Sequence, residues 1–102
     1  MKLLFKDKEI DLAVTENNLC MKYRAYKIYF AILIKGHHRF STVRVRQTLD
    51  CFMVDDDYKI LDMELAMHEN TVLSNEEATQ TIIVPTGTFT DINIGDKFTV
   101  IE

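Results

Sequence analysis

Asp50 is the carboxylate whose neighbours most invite chemistry, because Leu49, Cys51 and Phe52 surround it with apolar side chains. A carboxyl drawn into such a setting can have its ionisation moved toward the working range of a general acid or base. The same placement suits a structural role, in which the carboxylate accepts backbone N–H bonds from a loop or pairs with Arg44 or Arg46. Cys20 and Cys51 supply thiols, and His37, His38 and His68 supply bases, so residue types alone leave a nucleophile–base pair open.

The spacings that would sharpen these options into a reaction are missing. Asp55-Asp56-Asp57 begins like a calcium loop, but its sixth position is Ile60 where a Gly belongs, and its twelfth is Ala66 where a Glu belongs. It reads as a solvated turn. His37 and His38 are adjacent, so on an extended path they point apart and do not chelate one ion. His68-Glu69 lacks the second His of a zinc protease. Gly36, Gly87 and Gly95 are isolated, so there is no phosphate-cradling loop, and no Gly-x-Ser-x-Gly elbow is present. No metal and no cofactor is implied.

Charge is the strongest feature. From Asn17 to Leu49 there is no acid, while Lys22, Arg24, Lys27, Lys35, Arg39, Arg44 and Arg46 give +7. From Asp50 to Glu102 there are 12 acids against Lys59 and Lys97. A split of this size inside a chain of net charge −4 points to an electrostatic partner. Arg44 and Arg46 are expected on one face of a strand, and Lys27 and Tyr29 on one face of another. Together with Lys35 and Arg39 they form a candidate surface for phosphates or a single strand of nucleic acid. The competing reading pairs these cations with the acidic strands of the same sheet, at about 0.2–1 kcal/mol a pair.

The elements that must position these residues follow from hydrophobic periodicity. Glu9 to Thr15 alternates, placing Ile10, Leu12 and Val14 on one face of a strand. Thr15 as N-cap, followed by Glu16, predicts one short helix over about 16–24, with Leu19, Cys20, Met21 and Tyr23 on its buried side. Tyr26 to Ile34 is apolar on both faces and reads as a central strand. After the Gly36-His37-His38 turn, Arg39 to Val54 predicts one long strand or two joined by a bend. Tyr58 to Leu65, Gln80 to Val84 and Lys97 to Ile101 are further strands, with 70–77 a loop. The sum is a mostly β chain of the α+β class: a small barrel or strongly curled, antiparallel-rich sheet of about six to eight short strands with one helix.

Along that frame the chain resembles the prokaryotic domain-of-unknown-function family 192. Phe40, Leu49 and Asp50 fall at the offsets of that family's Phe-Trp-Met-x-Asn-Thr and Pro-Leu-Asp phrases. Pro85-Thr86-Gly87 and Ile92-Asn93-Ile94-Gly95-Asp96-Lys97-Phe98 follow its downstream Pro-Ala-Gly and Gly-Asp phrases, and Leu19-Cys20-Met21 stands where it carries Gly-Leu-Met. Ser41 and Thr42-Val43-Arg44-Val45 replace its Trp and its Met-x-Asn-Thr, so whatever the Asn-Thr pair does there has no counterpart here. The resemblance implies a fold and a single domain, and no activity.

Composition sets the remaining bounds. One domain of 102 residues, 47% apolar, can bury a core without a metal or disulfide, and two cysteines 31 positions apart read as reduced thiols. Lys6-Asp7-Lys8-Glu9 interrupts the apolar start before a signal-peptide core develops, and Ile28–Ile34 is too short to span a bilayer. The expectation is a cytoplasmic, non-membrane and non-enzymatic binding module for an anionic ligand or nucleic acid. The alternatives are a small enzyme using Asp50 or a Cys/His pair, and an interaction protein that meets a partner or its own copy at an edge strand near Phe98–Ile101.

Overall fold

A computed structural model describes residues 1–22 and 24–102. Nine strands are found among them: β1 (Lys2–Phe5), β2 (Lys8–Thr15), β3 (Ala31–Lys35), β4 (Arg39–Ser41), β5 (Leu49–Val54), β6 (Ile60–Met67), β7 (Val72–Ser74), β8 (Gln80–Pro85) and β9 (Thr99–Ile101). Seven form one sheet in the order β6-β5-β8-β3-β2-β1-β9, and β4 pairs with β7 in a small second sheet. All neighbours are antiparallel except β2 and β3, which run parallel. A parallel pair needs a crossover of a dozen or more residues, and residues 16–30 supply it.

The large sheet curls until its two edge strands touch at one end. Lys59, just before β6, bridges Lys97, just before β9. The Ile60 N–H donates to the Asp96 carbonyl at 2.8 Å, and the Gly95 N–H donates to the Ile60 carbonyl at 2.8 Å. Gly95 holds φ at +98°, a conformation that glycine adopts without strain, and the Asp96 carboxylate accepts the Asn93 N–H at 2.8 Å. Ile92-Asn93-Ile94-Gly95-Asp96 is therefore the turn expected from the sequence, and it also closes the sheet.

Curling gives the sheet an inside and an outside, and the central strands are apolar on both. Ala31, Leu33, Phe52, Val54, Ile82 and Val84 enter the inner core with Leu3, Phe5, Leu12, Ile60, Phe89, Ile92 and Phe98. Phe98 is its hub, meeting Phe52 edge-on at 5.2 Å between ring centroids, Phe89 at 5.4 Å and Phe5 at 6.0 Å. The alternate residues Ile32, Ile34, Cys51, Met53 and Ile83 form an outer core, covered by Met21, Ile28, Phe40, Val45, Met67 and Ala78. Met21 and Ile28 come from the crossover, Phe40 from β4, Val45 from the loop after it, Met67 from the end of β6 and Ala78 from the segment before β8.

Several sequence expectations are corrected. The short helix over 16–24 is absent from the described residues, and Tyr23, expected on its buried side, lies outside them. The Thr15 hydroxyl accepts the Asn17 N–H, and the Asn17 side chain accepts the Leu19 N–H. Cys20 and Lys22 then donate to carbonyls only three residues back. Side chains that bond nearby backbone favour such successive turns over a helix. The strand expected from Tyr26 begins only at Ala31, and 39–54 is split by a loop over 42–48. Within the expected loop 70–77, Val72–Ser74 forms β7. No helix among the described residues is long and apolar enough to cross a membrane.

Removing the hub ring tests the closure. Phe98→Ala should destabilise the fold by about 3–5 kcal/mol, read from the urea midpoint at unchanged slope. Ile94→Ala, in the same closing segment but exposed, should stay within about 0.5 kcal/mol of the parent.

Candidate anion-binding site

The loop over 42–48 is built to push its cations outward. The Thr42 hydroxyl accepts the Thr71 N–H at 2.9 Å, and the Thr42 N–H donates to the Thr71 carbonyl at 2.9 Å, fixing the loop's start against 69–71. The chain then turns tightly, with the Val45 N–H on the Thr42 carbonyl at 3.0 Å and Arg44 at φ 63°. Val45 is buried in the outer core, which leaves Arg44 and Arg46 on either side of it exposed.

Gln47 joins this loop to the crossover. Its side-chain oxygen accepts the Ile28 N–H at 2.8 Å, and its amide nitrogen donates to the Ile28 carbonyl at 2.9 Å. The amide thus pairs with one residue's backbone as a neighbouring strand would. Ile28 is fully buried, so its neighbours Tyr26, Lys27 and Tyr29 are left on the surface.

The two loops make one basic shelf with Arg46 at its centre. A hollow of about 130 Å³ is lined by Met21, Arg24, Tyr26, Lys27, Arg46 and Gln47. A second, of about 240 Å³, is lined by Arg44, Val45, Arg46, Glu69 and Asn70. A third, of about 70 Å³, lies among Thr42, Arg46, Thr48 and Glu69. These are smaller than the roughly 300–1,000 Å³ of a small-molecule site, and their size suits single phosphate groups. Arg24 lies over the Tyr26 ring at 4.7 Å, and its buried Nε has no hydrogen-bond partner among the described residues. Lys27 and Arg46 make no ion pair among the described residues. The Lys2–Asp11 ion pair lies outside the basic segment. Glu69 is the acid that borders this surface.

The structure gathers Lys27, Arg44 and Arg46 but not all the expected cations. The strand face expected to align Arg44 with Arg46 does not exist, because both lie in a loop. Lys35 ends β3 at a separate open hollow with Asp56, Tyr58, Thr79 and Gln80, and Arg39 lies on β4 opposite Ser74. Sequence reasoning left out Arg24, Tyr26 and Gln47. Arg24 was legible as a member of the acid-free run, whereas a lone Gln carries no mark of the backbone it will meet.

Asp50 is buried and fully engaged in structure. Oδ1 accepts the Ala66 N–H at 2.7 Å and Oδ2 the Gly87 N–H at 3.1 Å, tying β5 to β6 and to the turn after β8. Burial pushes the Cys51 thiol far above its ordinary range, with Glu64, Asp62 and Asp50 adding in the same direction. Burial also raises the half-buried Cys20, against the opposing pull of Arg24. Both thiols are free, and neither is held as the thiolate that nucleophilic chemistry needs. Among the described residues no three His, Cys, Asp or Glu side chains gather around a metal position.

No protein-family model matches the chain, and no curated protein matches it. Two solved structures share the fold. One, from Sinorhizobium meliloti 1021, is described as a candidate transcription regulator; it has a TM-score of 0.76 at 12% identity over 96% of this chain and 89% of that one. The other, a protein of unknown function from Novosphingobium aromaticivorans, has a TM-score of 0.75 at 11% identity over 97% of this chain and 82% of that one.

Two measurements check the site. Gln47→Ala should speed hydrogen exchange at the Ile28 amide by about tenfold, with far less change at Leu33 and Ile82 in the sheet centre. Equal acceleration everywhere would show that Gln47 supports the whole fold and not this junction. Native protein should leave Cys51 unmodified by a neutral disulfide reagent at pH 7, and denaturant should make both thiols react.

Proposed function

We propose that this protein is a non-enzymatic binding module that holds a phosphate-bearing anion on the shelf formed by Arg24, Lys27, Arg44 and Arg46. The observation that carries this reading is the meeting of three hollows at Arg46, where the Gln47 clamp joins two acid-free loops. Small hollows with guanidinium walls fit the fork geometry by which Arg binds phosphate oxygens. Binding needs no reacting group at the shelf, and neither Asp50 nor either cysteine lies in its lining. The description of the Sinorhizobium protein as a candidate transcription regulator is in keeping with a nucleic-acid ligand, although similarity at 12% identity extends to fold alone.

Divergent membership of the domain-of-unknown-function family 192 belongs to the same proposal. What supports it is the structural demand at the matched positions. Asp50 ties three segments together, and Gly95-Asp96 forms the closing turn.

Charge reversal tests the shelf. Inorganic polyphosphate titrated into the protein at low salt should bind, and affinity should fall steeply as salt rises. The double variant Arg44→Glu, Arg46→Glu should lose that binding while keeping the parent's thermal midpoint within a few degrees, because both side chains are exposed. Glu69→Gln should tighten binding by a few-fold, since it removes the acid bordering two of the hollows. Equal affinity in parent and double variant, or no binding by the parent, overturns the reading.

A further inference from the structure

Tyr26 and Tyr29 are 69% and 82% exposed, the two most exposed aromatic rings among the described residues. Scattered exposed apolar residues need no explanation, but these two lie within four residues on a clamped loop. Gln47 holds the backbone of Ile28 between them, and Ile28 and Met21 anchor the loop in the outer core. The rings are thus presented from a fixed segment at little ordering cost on binding. Three residues of chain separate them by at most about 10 Å.

The cations gather at the Tyr26 ring. Lys27 stands between them in sequence, and the Arg24 guanidinium covers one side of Tyr26. Arg46 shares the hollow of Tyr26 and Lys27. A bare phosphate or polyphosphate uses the cations but has nothing to place on the rings. A duplex presents phosphates while its base faces are already stacked inside. A single strand presents both at once: phosphates for the cations and free base faces for the tyrosines. Stacking on aromatic rings and basic contacts to the backbone together give sequence-tolerant binding, and the small hollows of the shelf fit that tolerance.

We infer that the anion held on this shelf is a single-stranded nucleic acid, with bases stacked on Tyr26 and Tyr29 and phosphates on Lys27, Arg24 and Arg46. This inference rests on the anion-binding reading above and goes further by naming the ligand class. The 12 acids from Asp50 to Glu102 oppose binding of a polyanion along the second half of the chain, which favours one short site on the shelf.

The test is fluorescence anisotropy with labelled single-stranded DNA and RNA of about 16 nucleotides. The comparison ligands are a duplex of the same sequence, an abasic backbone of the same length and inorganic polyphosphate, all at low salt. The expected result is tighter binding of single strands than of duplex, abasic backbone or polyphosphate. Tyr26→Ala and Tyr29→Ala should each weaken single-strand binding about 5- to 150-fold and leave polyphosphate binding unchanged. Tyr29→Phe should keep it, because a phenyl ring still stacks. The slope of log affinity against log salt should be about −2, as about three phosphate contacts to a single strand require. Two results separate the possible failures. If abasic backbone and polyphosphate bind as well as the oligonucleotides and the alanine variants are neutral, the nucleic-acid inference falls and the anion-binding reading stands. If none of the ligands binds, or if Arg44→Glu with Arg46→Glu changes nothing, both fall.

Discussion

The structure depends on a sheet whose central strands are apolar on both faces. In β3, β5 and β8 successive residues alternate between two cores, Leu33 against Ile34, Phe52 against Met53, Ile82 against Ile83. The inner face satisfies itself by curling, and the aromatic cluster around Phe98 fills the space that the curl encloses. The outer face cannot be covered by the sheet that carries it. At about 25 cal/mol per Å² of apolar surface, leaving it wet would exceed the marginal stability of a domain this size. The crossover 16–30, the β4–β7 pair and the loop over 42–48 exist to cover it.

That requirement decides where the cations go. Met21, Ile28 and Val45 are the apolar anchors of the covering segments, and each is followed or flanked by cations that cannot enter the core with it. Since most of the crossover, β4 and the loop over 42–48 come from the acid-free run Asn17 to Leu49, that part of the cover carries cations on its outer side. Gln47 then solves a local problem, for the crossover reaches Ile28 with backbone groups that have no strand beside them. A buried N–H and C=O left unpaired would each cost about 1–3 kcal/mol, and the primary amide answers both. The same clamp sets Tyr26 and Lys27 beside Arg46. Packing and the grouping of the cations are in this sense one arrangement.

What the sequence disclosed follows the reach of the physics behind it. The strand at Glu9 to Thr15 and the Gly95-Asp96 turn depend on neighbours along the chain and are present, and of the doubly apolar run Tyr26 to Ile34 the part from Ala31 onward is a strand. The helix expected near residues 16–24 was judged from Thr15 as a cap. The cap is real in that the Thr15 hydroxyl accepts a nearby N–H, but Asn17 accepts the next one and the chain keeps turning. For residues 39–54 the alternation at Val43 and Val45 allows one long strand or two joined by a bend, and the structure has two strands separated by a seven-residue loop. Thr42 instead bonds to 71, a contact 29 residues away that no local pattern encodes. The cations were legible as a charge imbalance, while their grouping was not, because Arg46 meets Lys27 only through the Gln47 clamp.

Edges carry the remaining constraint. A curled sheet that closes at one end still leaves most of β6 with one side unpaired, and such a strand invites another chain. The Met63 N–H is taken up by the Asp62 carboxylate at 2.9 Å, so a donor in that strand is satisfied within it. Glu64 adds a second negative charge on the same strand. A partner strand would have to displace the carboxylate and accept two buried charges, which costs more than a ladder bond returns. Concentrating the acids in the second half of the chain thus places two of them, Asp62 and Glu64, on this edge, while Lys27, Arg44 and Arg46 of the first half stand on the cover.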